Sequence, residues 1–167
     1  EVNAAPLEAL DPPTLDAWRG LIDDGPQARL DLSPEAVSLS GDATILTAWR
    51  ADGSGRKLVG LAALIRDEFD LSHHLLPLGR TRLPGYRLAG DQVLGADDPA
   101  ALAALVDAVA DRMQTHSAEL LEVEDVKHSA PLWRELQRLS LRGFRCCTPI
   151  PLQSHHRIRL PASAGEY

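Results

Sequence analysis

The sequence predicts an α/β fold, a mixed sheet flanked by helices, and three observations predict it. Residues 44–49 and 58–65 are β-branched and apolar runs on either side of Asp52-Gly53-Ser54-Gly55, the signature of a β-hairpin. The second half alternates strand and helix patterns, which builds a sheet with helices packed on it. The chain has 167 residues, 44% hydrophobic and 25% charged, enough apolar side chain for about one core.

The elements follow in order. Asp11 caps a first helix with Pro12 and Pro13 in its opening turn. Leu15, Trp18, Leu21 and Ile22 recur at helical spacing, and Gly25-Pro26 stops the run. Residues 26–42 are irregular, apart from a helical turn opened by Ser33-Pro34-Glu35. The hairpin comes next. Residues 71–95 are then broken by Pro77, Gly79, Pro84, Gly85, Gly90 and Gly95, leaving room for short strands around 75–79 and 86–94.

The clearest helix has Asp98 as cap, Pro99 at its first position, and Leu102, Leu105, Val106, Val109 and Met113 as one apolar stripe. Residues 120–126 read as a strand. Ser129 is expected to cap the last helix, with Pro131 in its first turn. Leu132, Trp133, Leu136 and Leu139 form its inner face, and Gly143 closes it. Residues 144–147 and 156–160 are expected strands, separated by Pro149 and Pro151.

Charge and cysteine content narrow the function classes. Asp and Glu outnumber Lys and Arg by 24 to 17, a net charge of −7, which repels a phosphate backbone and disfavours nucleic acid as a partner. No uncharged apolar run approaches the ~20 residues of a membrane span. Cys146 and Cys147 are adjacent, a spacing that strains a disulfide, so two free thiols and a cytoplasmic location are expected. Met113 is the sole methionine, so Glu1 is expected to follow upstream residues.

The chemistry-bearing residues are sparse. The six histidines include the neighbours His73-His74 and His155-His156, with no H-x-x-x-H spacing to seat a metal on one helix face. Neither a P-loop nor a Gly-x-Ser-x-Gly motif occurs. Glu122, Glu124 and Asp125 stand at the end of an apolar strand. A carboxylate there can take a proton from an amine or orient a substrate, or simply solvate a sheet edge. Asp91, beside Gln92, has the same two readings. Arg80, Arg82 and Arg87 surround Pro84-Gly85-Tyr86 and make the densest positive patch, suited to an anionic group or to solvent. Trp18 and Trp133 lie on apolar stripes and are expected in the core.

The order of elements resembles the GNAT N-acyltransferase fold. The residues point to one bacterial branch: Leu15-Asp16-Ala17-Trp18-Arg19-Gly20-Leu21 resembles its opening helix, and Leu58-Val59-Gly60-Leu61-Ala62-Ala63-Leu64 one of its strands, with Ala63 where proline is usual. His128-Ser129-Ala130-Pro131-Leu132, then Leu141-Arg142-Gly143-Phe144, resembles a later segment. Ile158-Arg159-Leu160-Pro161 and Glu166-Tyr167 resemble the segment that closes its first half. That branch is the cellulose-biosynthesis-associated (CelD/BcsL-type) acetyltransferase family, similar to the FemAB-like tandem acyltransferases. The resemblance implies that residues 1–167 form one GNAT-like domain, the N-terminal half of a longer chain. It implies acyl transfer from acetyl-CoA to an amine or hydroxyl of a small-molecule or saccharide acceptor, with a C-terminal GNAT-like half as partner.

In an active domain of this family the acyl-CoA pyrophosphate sits on a Gly-rich turn at a helix N-terminus, held by backbone N–H groups. The matching turn here is Gly95-Ala96-Asp97-Asp98-Pro99, with two carboxylates and a proline that lacks an N–H. This half is therefore expected to bind no acyl-CoA, and to shape the acceptor side or support a catalytic half. Asp91, Glu124 and Asp125 are the expected acceptor-binding residues, with Arg87 for an anionic group. The other reading is a silent GNAT-like binding or dimerisation module.

Overall fold

The computed structural model describes residues 1–23, 30–53, 55–70, 82–124 and 126–146. Five strands form one sheet in chain order: β1 (Val2–Pro6), β2 (Ala43–Asp52), β3 (Gly55–Asp70), β4 (Arg82–Leu88) and β5 (Leu120–Glu122). Neighbours are antiparallel except β4 and β5, which run parallel. The helices are α1 (Pro12–Asp23), α2 (Pro34–Ser38), α3 (Pro99–Thr115), which links β4 to β5, and α4 (Pro131–Arg138). This is the expected mixed sheet flanked by helices, and it is compatible with a GNAT-like arrangement. No described helix is long and apolar enough to cross a membrane.

The sheet is the middle of three layers. On one face Trp18 and Ile22 of α1, with Leu32 and Val37, pack on Ile45, Leu61, Ala63 and Ile65. On the other, the α3 stripe Leu102, Leu105, Val106, Val109 and Met113 packs on Leu46, Ala62, Leu64, Tyr86 and Leu88, joined by Leu132 and Leu139. The two cores use alternate residues of the same strands, because successive strand side chains point to opposite faces. Where the β2 pairing shifts from Ala48–Gly60 to Trp49–Leu58, Val59 is the extra residue of a bulge. Leu58 and Leu61, three apart, therefore reach the same core. Trp18 is fully buried, and its indole N–H donates to the Leu32 carbonyl at 2.9 Å, which satisfies the one polar atom it brings inside.

Local chemistry accounts for the ends. The Asp11 carboxylate accepts from the Thr14 N–H at 3.0 Å at the start of α1, and the Ser33 hydroxyl accepts from the Ala36 N–H at 3.1 Å, ahead of Pro34, at α2. Gly143, at φ +88°, closes the turn after α4.

Several expectations are corrected. Strand β1 was not foreseen; it exists through its ladder to β2 from Val2–Ala48 to Pro6–Thr44. The strand expected at 86–94 is β4, ending at Leu88, followed by a 3-10 turn at Ala89–Asp91. Leu94 then returns to bridge Leu61 with two hydrogen bonds of 3.0 and 2.8 Å, continuing the β3 edge that β4 leaves. Strand β5 stops at Glu122 rather than 126. The cap of α4 is Ala130, not Ser129, and it makes no side-chain bond; the Pro131 ring presets the first turn instead. Phe144, Arg145 and Cys146 are not in a strand. Trp133 is half-buried rather than in the core, stacked on the His128 ring at 4.5 Å. Gly25, Pro26 and the expected strands at 75–79 and 156–160 lie outside the described residues, as do Cys147, His73, His74, His155 and His156.

Close approach fixes two glycines of the sheet. A Cβ on Gly60 would stand 2.9 Å from Leu105 Cδ1 and 3.3 Å from the Leu94 carbonyl oxygen. One on Gly85 would meet the Leu120 carbonyl oxygen at 2.3 Å. The first lets α3 settle on β3, and the second lets β5 lie against β4.

Candidate functional site

Two places bear on the expected chemistry, and the first is the start of α3. The turn from Gly95 to Asp98 closes with the Asp98 N–H donating to the Gly95 carbonyl at 3.0 Å. Gly95 sits at φ +74°, and a Cβ there would stand 2.0 Å from the Val59 carbonyl oxygen, so the turn is pressed onto β3. The Asp98 carboxylate folds over the helix end. Its Oδ1 accepts from the N–H groups of Ala100 at 3.1 Å and Ala101 at 3.2 Å, and its Oδ2 pairs with the Arg50 guanidinium of β2. Pro99 offers no N–H. The donors that a helix N-terminus presents to an anion are thus met by the chain's own carboxylate. A pyrophosphate would have to displace Asp98 from its two N–H groups and from Arg50. These residues do not fit acyl-CoA in the usual manner.

The second place is the ledge where β3, β4 and β5 lie side by side. Arg87 pairs with Ile65 across the antiparallel ladder and with Glu122 across the parallel one. Its Nε donates to Glu122 at 2.9 Å, and its Nη2 to Asp67 at 2.6 Å. Asp67 is two residues beyond Ile65 and therefore on the same sheet face. The hydrogen bond that Arg87 donates to Glu122, then the charges of Asp67, Glu122 and Glu124, hold the Arg87 guanidinium above its ordinary pKa. Among the described residues, the Arg87 guanidinium thus stands in the field of three carboxylates, two of which it hydrogen-bonds. The pairs are part-exposed, so each stabilises by no more than about 1 kcal/mol.

The structure distributes the expected site residues unequally. Arg87 and Glu124 come together here, with Glu122. Arg87 is engaged by carboxylates of its own chain, so the positive patch expected for an anionic group is neutralised in place. Arg82 likewise lies 3.6 Å from Glu68, and Arg80 is outside the described residues. Glu124 lies past the end of β5, which stops at Glu122. Asp125 lies outside the described residues. Asp91 ends the 3-10 turn after β4, and that turn packs toward the Leu30–Leu32 turn, where a Cβ on Gly90 would stand 2.7 Å from Leu32 Cγ.

Sequence reasoning missed Asp67 and Arg50. Asp67 had a signal, since it continues the alternation Ala63, Ile65, Asp67 at a strand end. Arg50 had none, because its partner Asp98 is 48 residues away. Among the described residues no His, Cys, Asp and Glu side chains gather in an arrangement suited to a metal ion. No family model, curated protein or solved structure matches the chain.

Proposed function

We propose that this chain is the acceptor-side or supporting half of a tandem GNAT-like N-acyltransferase, and that acyl-CoA is held by a C-terminal GNAT-like half. The observation that carries the reading is the self-capped start of α3: Asp98 holds both available N–H groups and is itself held by Arg50. The order of strands and the α3 crossover between parallel neighbours support the GNAT-like part. The link to cellulose or another polysaccharide rests on the resemblance of the motifs.

The β3–β4–β5 ledge refines the acceptor. Asp67 and Glu122 already engage the Arg87 guanidinium, which favours a protonated amine over an anionic group, since an anion would have to displace a carboxylate there. Glu124 is proposed to accept from such an amine, with Arg87 aligning Asp67 and Glu122; Asp91 and Asp125 complete the set expected from sequence.

The test is a pair of calorimetric titrations with acetyl-CoA. The chain alone gives no saturable heat, and the full polypeptide encoded by its reading frame binds acetyl-CoA and releases CoA thiol when supplied with amine acceptors. Micromolar binding by the chain alone refutes the reading. A full polypeptide without thiol release refutes the acyltransferase and leaves the silent binding or dimerisation module.

A further inference from the structure

The far end of α3 carries a different feature, some 25 Å along the helix from Asp98, given its 17 residues at about 1.5 Å each. There the helix passes beside the edge strand β1. The β1 positions opposite Ala48 and Leu46 are Val2 and Ala4, and the facing helix residue is Ala108. These short side chains leave a groove of about 250 Å³ between strand and helix, floored by Leu46 and crossed by Arg112, with His116 at its rim.

Arg112 is the anomaly. Its Nη2 donates to the buried Thr44 hydroxyl at 2.9 Å, and its Nε is buried with no acceptor. Among the described residues no carboxylate pairs with it, whereas Arg19, Arg50, Arg87, Arg138 and Arg142 are each ion-paired. Asp111 also lines the groove, but its carboxylate is held by Arg142 at 2.5 Å. A guanidinium half out of water, with one neutral partner and one unmet donor, is a costly arrangement unless a counter-charge is supplied from outside.

We infer that this groove binds a small ligand bearing an oxyanion group, a carboxylate or a phosphate, with Arg112 as its counter-charge. Nε is sealed from solvent, so the ligand engages the Nη donors that Thr44 leaves free, and its apolar part lies on Val2, Leu46 and Ala108. The volume is below the roughly 300–1,000 Å³ of drug-sized pockets, which restricts the ligand to a small one. The inference is independent of the acyl-CoA reading, because it concerns the opposite end of the helix and a different ligand.

The experiment follows the arginine Nε–H signals of the ¹⁵N-labelled chain. The buried Nε–H of Arg112 exchanges slowly with solvent, and its cross-peak is assigned by its loss in Arg112→Lys. Sodium phosphate and sodium acetate are titrated separately at constant ionic strength, with sodium chloride as the matched control. The expected result is a saturable shift of that cross-peak with at least one oxyanion and none with chloride; the responding ion distinguishes a phosphate from a carboxylate ligand. Ala4→Asp places a fixed carboxylate on the exposed strand beside the guanidinium and is expected to weaken that binding at least tenfold. A drift equal to that of chloride, or affinity unchanged in Ala4→Asp, overturns the proposal.

Discussion

Replacing Asp98 by alanine isolates the interaction on which the start of α3 depends. The carboxylate satisfies two helix N–H groups, at 3.1 and 3.2 Å, and pairs with Arg50. Losing an N-cap of this type costs about 1 kcal/mol, within a range of roughly 0.5–2. The Arg50 side chain is 57% exposed, so solvent screening limits the ion pair to about 0–1 kcal/mol. The sum predicts a destabilisation of about 1–2 kcal/mol for Asp98→Ala. Asp98→Asn keeps a capping oxygen and loses only the charge, so it should cost under about 1 kcal/mol. Urea unfolding followed by tryptophan fluorescence, to which the fully buried Trp18 contributes, measures both. An Arg50→Ala, Asp98→Ala cycle separates the pair from the cap, with an expected coupling below about 1 kcal/mol. Asp98→Ala within about 0.3 kcal/mol of the parent, or Asp98→Asn as damaging as Asp98→Ala, would refute the assignment of Asp98 as the cap.

Two further outcomes are expected. Gly95→Ala should destabilise by about 2–5 kcal/mol, combining left-handed backbone strain with overpacking, because the added methyl falls 2.0 Å from the Val59 carbonyl oxygen; a Tm within a few degrees of the parent would show that the turn does not rest on β3. Glu35, which accepts a 2.7 Å hydrogen bond from Arg19, is held below its ordinary pKa of 4.5, first by that bond. Its contribution is therefore full above that value and is lost as pH falls through the lowered one, so Glu35→Gln should lose less Tm than the parent between neutral pH and about pH 3; equal losses would remove Arg19 and Glu35 as an acid-sensitive tie between α1 and α2.

What the sequence disclosed was local. The Asp98-Pro99 start of α3, the turn at Asp52–Gly55 and the Trp18 stripe are each written within a few residues, and each is found where expected. Strand β1 is not so written, since Val-Asn-Ala-Ala-Pro has weak strand propensity and becomes a strand only against β2, more than 35 residues away. The return of Leu94 to Leu61 is equally non-local, and so the strand limits around 86–94 were misjudged. For the candidate site, charge and position singled out Arg87 and the acidic end of β5. Its partners Asp67 and Glu122 are 20 and 35 residues distant, and their pairing occupies the guanidinium expected to hold an anion.

The two central strands carry a further consequence. Residues 43–48 of β2 and 60–65 of β3 are buried on both faces, so sliding one strand past the other by a single residue would swap two oily layers instead of wetting one. Hydrophobicity alone is therefore nearly blind to that error, unlike in a sheet with one face in water. What detects it is shape. A slide that brought Leu61 or Val59 to the place of Gly60 would drive a side chain into Leu105 and the Leu94 carbonyl. The correct alignment of this sheet is proofread by the single hydrogen that stands where a methyl group would not fit.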